Sequence, residues 1–224
     1  MSYATLILGE SGTGKTCSLR NLNPSNVLLI QPVRKPLPFR SAEWNGHVYV
    51  CNDAKKVVNA LLNTKAEIIV IDDFQYFLIG ILMNRRAERS FDKFSDIAGA
   101  GYDIVMTASQ LAENKRVYIL CHTDTDEFGM VRAKSIGKML SEKICIEGLF
   151  TITLRTHVEN GNYMFSTQNS GNDTVKSPIG MFEERFVDND LALIDERIKA
   201  YYEIEQWRVN GNTAKVIHDF TTFG

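Results

Sequence analysis

Short apolar runs alternate with amphipathic stretches along this 224-residue chain. Ala4–Leu8, Val27–Ile30, His47–Cys51, Ile68–Ile71 and Val117–Cys121 are strand-length runs of β-formers. Helical spacing follows several of them: from Lys15 to Leu22, from an Asp53 cap to about Asn63, over Phe74–Met83, and over Phe91–Glu113 with a weak point at Gly99-Ala100-Gly101. This order predicts an α/β domain, a mostly parallel twisted sheet flanked by crossover helices. Thr123–Ile136 is polar and reads as a loop, and Lys138–Cys145 as a short helix. Phe150–Leu154 and Tyr163–Thr167 flank Glu159-Asn160-Gly161-Asn162, and Asn-Gly between alternating strands predicts a β-hairpin. Leu191 to Trp207 reads as a closing helix, so one domain is expected over 1–207, with a tail at 208–224.

The pattern breaks at 31–46. Three of the five prolines (Pro32, Pro36, Pro38) lie there with Arg34, Lys35 and Arg40, which predicts a basic, extended connector. A hydrophobic content of 44% suits a full core, and a net charge of −2 gives no global attraction to nucleic acid. Cys17, Cys51, Cys121 and Cys145 are scattered, which argues against a disulfide framework or zinc site; the last three sit among apolar residues and are expected to be buried. The first strand starts within a few residues of Met1, leaving no room for a leader, and the apolar run Phe74–Met83 is too short to span a bilayer. A cytoplasmic setting without membrane contact is expected.

The strongest chemical signal is Gly9-Glu10-Ser11-Gly12-Thr13-Gly14-Lys15-Thr16, between a predicted strand and a predicted helix. It fits G-x-x-x-x-G-K-[ST] without a gap. In this pattern glycines let successive N–H groups wrap a triphosphate, so Gly9, Ser11, Gly12, Thr13, Gly14, Lys15, Thr16 and Cys17 are expected to bind ATP or GTP. Lys15 would reach the β- and γ-phosphates, and the Thr16 hydroxyl would hold Mg²⁺. The run Ile68–Ile71 ends in Asp72, an acid at the carboxyl end of a buried strand, suited to metal binding through water. Asp73 next to it either orients the attacking water or caps the following helix. His122 follows the fifth strand, where it is either a γ-phosphate sensor or a solvated loop residue.

Basic residues cluster in three places: Arg34, Lys35 and Arg40; Arg85, Arg86 and Arg89; and Arg132, Lys134 and Lys138. Together these predict a phosphate-backbone groove for single-stranded nucleic acid, with Phe39, Trp44, Phe91 and Phe128 available to stack bases. Each cluster alone reads as solvated surface.

The loop, the Val48–Cys51 strand, Ile68–Asp72 and Val117–His122 in this order resemble the RecA-like P-loop NTPase core. Ile71-Asp72-Asp73-Phe74-Gln75-Tyr76, Ile136-Gly137-Lys138-Met139-Leu140 and Lys176-Ser177-Pro178-Ile179-Gly180-Met181-Phe182 resemble small bacteriophage ATP-binding proteins, AAA-family ATPases grouped with RecA-like single-strand annealing recombinases. The resemblance covers roughly residues 3–203. It implies ATP and Mg²⁺ binding, single-stranded DNA as partner, a homo-oligomeric ring or filament, and a setting in the bacterial host cell alongside a single-strand DNA-binding protein. A basic residue from the neighbouring subunit would then touch the γ-phosphate; Lys176 is the candidate, with Arg155 second, although Lys176 also reads as an exposed lysine near a turn proline. One departure stands out. RecA carries its catalytic glutamate just beyond the strand after the loop helix, where this chain has Gln31-Pro32-Val33. Hydrolysis would then rest on Asp73, or on Glu43 brought back by the connector, or be slow. The alternatives are a nucleotide-gated DNA-binding scaffold with little hydrolysis and a small P-loop kinase with Arg85–Arg89 as its lid.

Overall fold

The computed structural model describes residues 1–90, 92–134 and 145–204. Its frame is an eight-stranded sheet with the order β10-β9-β8-β1-β5-β4-β2-β3. The strands are β1 (Tyr3–Leu8), β2 (Val27–Gln31), β3 (Val48–Val50), β4 (Ile68–Ile71), β5 (Arg116–Cys121), β8 (Ile152–Glu159), β9 (Asn162–Ser166) and β10 (Phe186–Asp188). The six strands from β8 to β3 run parallel; β9 and β10 complete one edge in antiparallel pairing. The helices are α1 (Ala54–Asn63), α2 (Gln75–Asn84), α3 (Asp92–Ser109) and α4 (Leu191–Tyr201).

Strand alternation divides the core into two layers. Leu6, Leu8, Ile69, Ile71, Val117 and Ile119 point to one face, where Val57, Phe77, Ile104 and Val105 of α1, α2 and α3 cover them. Ile7, Val70, Tyr118 and Leu120 point to the other, against Leu19, Leu191, Ile194 and Ile198. Both faces of the central strands are thus dry, which is why they read as unbroken apolar runs. A buried pair anchors α4: Arg116 Nε and Nη2 donate to Asp195 at 2.9 and 3.0 Å, and Tyr118 Oη donates to the same carboxylate at 2.6 Å.

Several local expectations hold. Asp53 accepts from the N–H groups of Lys55 and Lys56. Asn160 and Gly161 take φ of +51° and +79° in the two-residue turn between β8 and β9. Other expectations are corrected. Thr16–Asn21 is a 3₁₀ helix instead of the opening of a longer helix. Leu22 turns extended and Pro24 follows, while Arg20 and Asn21 are held by Asn189 and Asp190. Helix α3 runs unbroken through Gly99–Gly101, where Gly101 sits close against Leu78 of α2 and Phe74 just before it, and it ends at Ser109. The segment after His122 is partly a hairpin, β6 (Thr123–Thr125) with β7 (Val131–Ala133). Its turn is drawn together by Asp126, which accepts from the N–H groups of Phe128 and Met130. Cys121 is buried as expected, but Cys145 is exposed and Cys51 half-buried. Most of the short helix expected over 138–145, and the tail at 208–224, lie outside the described residues. No described helix is long and apolar enough to cross a membrane.

Candidate functional site

The strand register brings four chain segments to one end of the sheet. Leu8 pairs with Cys121, Ile71 with Ile119, and Ile30 with Ile71. Gly9, His122, Asp72 and Gln31 therefore emerge together at the carboxyl ends of parallel strands, where α/β sheets hold ligands.

Residues 9–16 wrap tightly. Gly12 and Gly14 take φ of +81° and +99°, a region that other residues enter at a cost. Gly9 is required for a different reason. A Cβ there would lie 1.9 Å from Thr156 Oγ1, which bonds to Thr13 Oγ1 at 2.6 Å and to the Leu8 carbonyl at 3.2 Å. Hairpin β8–β9 thus walls the loop, and Tyr163 and Asn189 crowd Gly14.

Lys15 is buried and makes no ion pair among the described residues. Its ammonium donates to the Gly9 and Glu10 carbonyls at 2.7 and 2.8 Å. Burial pulls its pKa below the ordinary lysine value, and Asp73 and Asp72 offset part of that. A buried ammonium satisfied only by loop carbonyls suits an incoming anion.

Thr16 Oγ1 donates to both oxygens of Asp72, at 3.0 and 3.2 Å, across 56 residues of sequence. Gln31 Nε2 donates to Asp72 Oδ2 at 3.1 Å. Burial, and then the charge of Asp73, push the Asp72 carboxyl above the usual range; Gln31, Thr16 and Lys35 work against this. Hydroxyl and carboxylate oxygens are hard donors of the kind Mg²⁺ takes. Among the described residues no three His, Cys, Asp or Glu side chains gather into a metal cluster. A Mg²⁺ at Thr16 and Asp72 would draw its remaining donors from phosphate and water, as this ion usually does.

Asp73 does not cap α2. It is buried at φ +56°, and its carboxylate accepts from Lys35 on one oxygen and meets His122 Nε2 at 3.2 Å on the other. His122 is held further: its N–H donates to Gln75 Oε1 at 3.2 Å, and its ring meets Tyr76 edge-on. Burial and the charge of Lys15 lower the His122 pKa, which Asp73 offsets in part, so the neutral imidazole is favoured. Glu43 stays exposed on the turn Ala42–Trp44; Lys35, from the same connector, reaches the acid pair instead.

Lys176 is exposed, on a segment bridged to Thr153 of β8. Arg155 stands 3.9 Å from Asp173. Arg85 is paired with Glu88 at 2.7 Å and with Asp96, so its charge is already matched, whereas Arg86 and Arg89 are exposed. Arg132 and Lys134 are exposed on the β6–β7 hairpin, and the Lys134 N–H donates to the His122 carbonyl at 2.7 Å. Phe128, at the hairpin turn, is 87% exposed. Trp44 is buried and packs edge-on against Phe39, so it belongs to the core and has no face for a base. Lys138 and Phe91 lie outside the described residues.

No protein-family model matches the chain, and no curated protein matches it.

Sequence reasoning marked Gln31 only as the place where a glutamate is lacking and not as a partner of Asp72, missed Thr156, and gave Lys35 another role. Gln31 carried a signal, as a polar residue closing an apolar strand. Thr156 carried none, because its role depends on which strand lies beside β1.

Proposed function

We propose that the chain is a RecA-like P-loop ATPase that binds Mg–ATP and single-stranded DNA and assembles as a ring or filament. The observation that carries the nucleotide reading is the Thr16–Asp72 hydrogen bond, which joins the loop to the distant strand end at the point a metal would bridge. In this reading the loop N–H groups from Ser11 to Cys17 hold phosphate oxygens, and Lys15 exchanges the Gly9 and Glu10 carbonyls for β- and γ-phosphate oxygens. With only a short 3₁₀ turn behind the loop, these N–H groups and Lys15 supply most of the attraction. Thr16 and Asp72 would hold Mg²⁺, which would supply charge neutralisation on the phosphates. Asp73 and His122 orient water. Its oxygen bonds to the γ-phosphorus as the bond to the β–γ bridging oxygen breaks. The bridging oxygen keeps the electron pair in ADP; one water proton stays on phosphate and the other leaves through Asp73 to solvent.

The DNA reading is supported by the exposed hairpin carrying Arg132, Lys134 and Phe128, hydrogen-bonded to His122 through Lys134. Charge and an aromatic face are the means of holding a single strand without reading its sequence.

One observation favours the scaffold reading. Asp73 already has a partner on each oxygen, and Gln31 stands where a glutamate would assist. Phosphate release from ATP with and without single-stranded DNA decides between the two. Stimulation by DNA supports the ATPase; ATP-dependent DNA binding without turnover supports the scaffold. Transfer of phosphate to a nucleoside or nucleotide overturns both in favour of a kinase.

A further inference from the structure

The connector between β2 and β3 carries a lysine into the acid pair. Lys35 Nζ donates to Asp73 Oδ2 and lies 5.2 Å from the centroid of the Tyr76 ring. A residue before proline is biased away from helical backbone, as Lys35 is by Pro36, and Pro32 and Pro38 restrict the strap on either side. The side chain itself is 48% exposed and can swing on its four-carbon stem. The site therefore sets two cations, Lys15 and Lys35, against two carboxylates, Asp72 and Asp73.

A triphosphate in the loop changes that balance. It brings more negative charge than Lys15 and one dication neutralise, and the surplus sits on the γ-phosphate. Arg155, beside Leu8 in the sheet, lies 3.9 Å from Asp173, and the main chain of Lys176 is fixed to Thr153 of β8. Lys35, half-exposed and hydrogen-bonded to an Asp73 oxygen that it can leave, is a cation beside the acid pair free to answer that surplus.

We propose that Lys35 is the γ-phosphate cation of this site, supplied by the same chain, and that it leaves Asp73 for the γ-phosphate oxygens when a nucleoside triphosphate enters the loop. The proposal rests on the nucleotide-binding reading above. The swing has two consequences. It places positive charge where the transition state gathers negative charge, and it releases one oxygen of Asp73 toward the water. A diphosphate offers Lys35 no γ-phosphate, so the residue distinguishes ATP from ADP.

The test is a calorimetric titration of wild type, Lys35→Ala and Lys35→Arg with a non-hydrolysable ATP analogue and with ADP, all with Mg²⁺. Lys35→Ala is expected to lose roughly ten- to hundredfold in affinity for the triphosphate, the range of a hydrogen bond to a charged group. Its ADP affinity stays within about threefold of wild type, which also shows that the variant is folded with an intact loop. Lys35→Arg keeps most of the preference for the triphosphate. Unchanged triphosphate affinity in Lys35→Ala, or equal losses for ATP analogue and ADP, overturns the proposal. If wild type binds neither nucleotide, the underlying reading falls and takes the proposal with it.

Discussion

Gly9→Ala tests how the Gly9–Thr16 loop is seated. The added Cβ would stand 1.9 Å from Thr156 Oγ1, 2.8 Å from Thr13 Oγ1 and 3.1 Å from Thr156 Cβ. Non-bonded heavy atoms settle near ~3.5 Å, so the first contact is short by roughly 1.5 Å. Thr156 cannot retreat with its backbone, because β8 is paired with both β1 and β9. Its side chain must turn away, giving up the bonds to Leu8 O and Thr13 Oγ1. Overpacking of about 1–3 kcal/mol and two hydrogen bonds of about 1 kcal/mol each put the cost near 3–5 kcal/mol if none is recovered, and nearer 2 kcal/mol with relaxation. Thr156→Ala alone forfeits the hydrogen bonds, about 1–2 kcal/mol. In the double variant the worst contact is gone, so its cost should fall short of the sum by about 1–2 kcal/mol. Equilibrium urea unfolding of the four proteins measures this, with midpoints compared at constant m. Costs that add to within about 0.5 kcal/mol would refute the claim that Thr156 is what excludes a side chain at position 9.

Three further outcomes follow from the same contacts. Asp195→Ala strands the buried Arg116 guanidinium and the Tyr118 hydroxyl and should lower stability by about 3–5 kcal/mol in urea; a loss under about 1 kcal/mol would mean that the pair contributes little to holding α4. His122 is held neutral by burial and by Lys15, with Asp73, Lys35 and Tyr76 also around it. Its lowered pKa adds stability that is complete above the unfolded value of about 6.5 and is lost as pH falls through the folded value. The wild-type stability difference from His122→Asn should therefore grow as pH rises toward neutrality, and a pH-independent difference would count against a lowered pKa. If Arg132 and Lys134 contact phosphates, replacing each by Ala should flatten the log–log salt dependence of single-strand binding by about 0.7, whereas an unchanged slope removes the hairpin from the interface.

Features set by near neighbours in sequence were legible. The Asp53 cap, the Asn160-Gly161 turn, the glycines of the loop and the acid ending β4 each depend on residues within a few positions. What escaped depends on strand order. Among the described residues β10 pairs with β9 alone, and Thr156 matters because β8 lies beside β1. Lys35 read as one charge of a surface cluster because nothing local reveals that the connector folds back onto Asp73. Trp44 and Cys145 misled in opposite directions. The tryptophan sits in a polar, proline-rich stretch yet reaches the core, while the cysteine lies between isoleucines yet is exposed. Composition around a residue is a weak guide to burial where the backbone is irregular.

The most direct test of the account is calorimetric titration of ATP, with and without Mg²⁺, into wild type, Lys15→Ala and Asp72→Asn. Saturable binding strengthened by Mg²⁺ is expected in wild type. Lys15→Ala should lose at least about tenfold in affinity, and Asp72→Asn should lose most of the gain from Mg²⁺. Wild-type affinity for ATP in Lys15→Ala, or no binding by wild type at all, would contradict the assignment of Gly9–Thr16 as a phosphate loop.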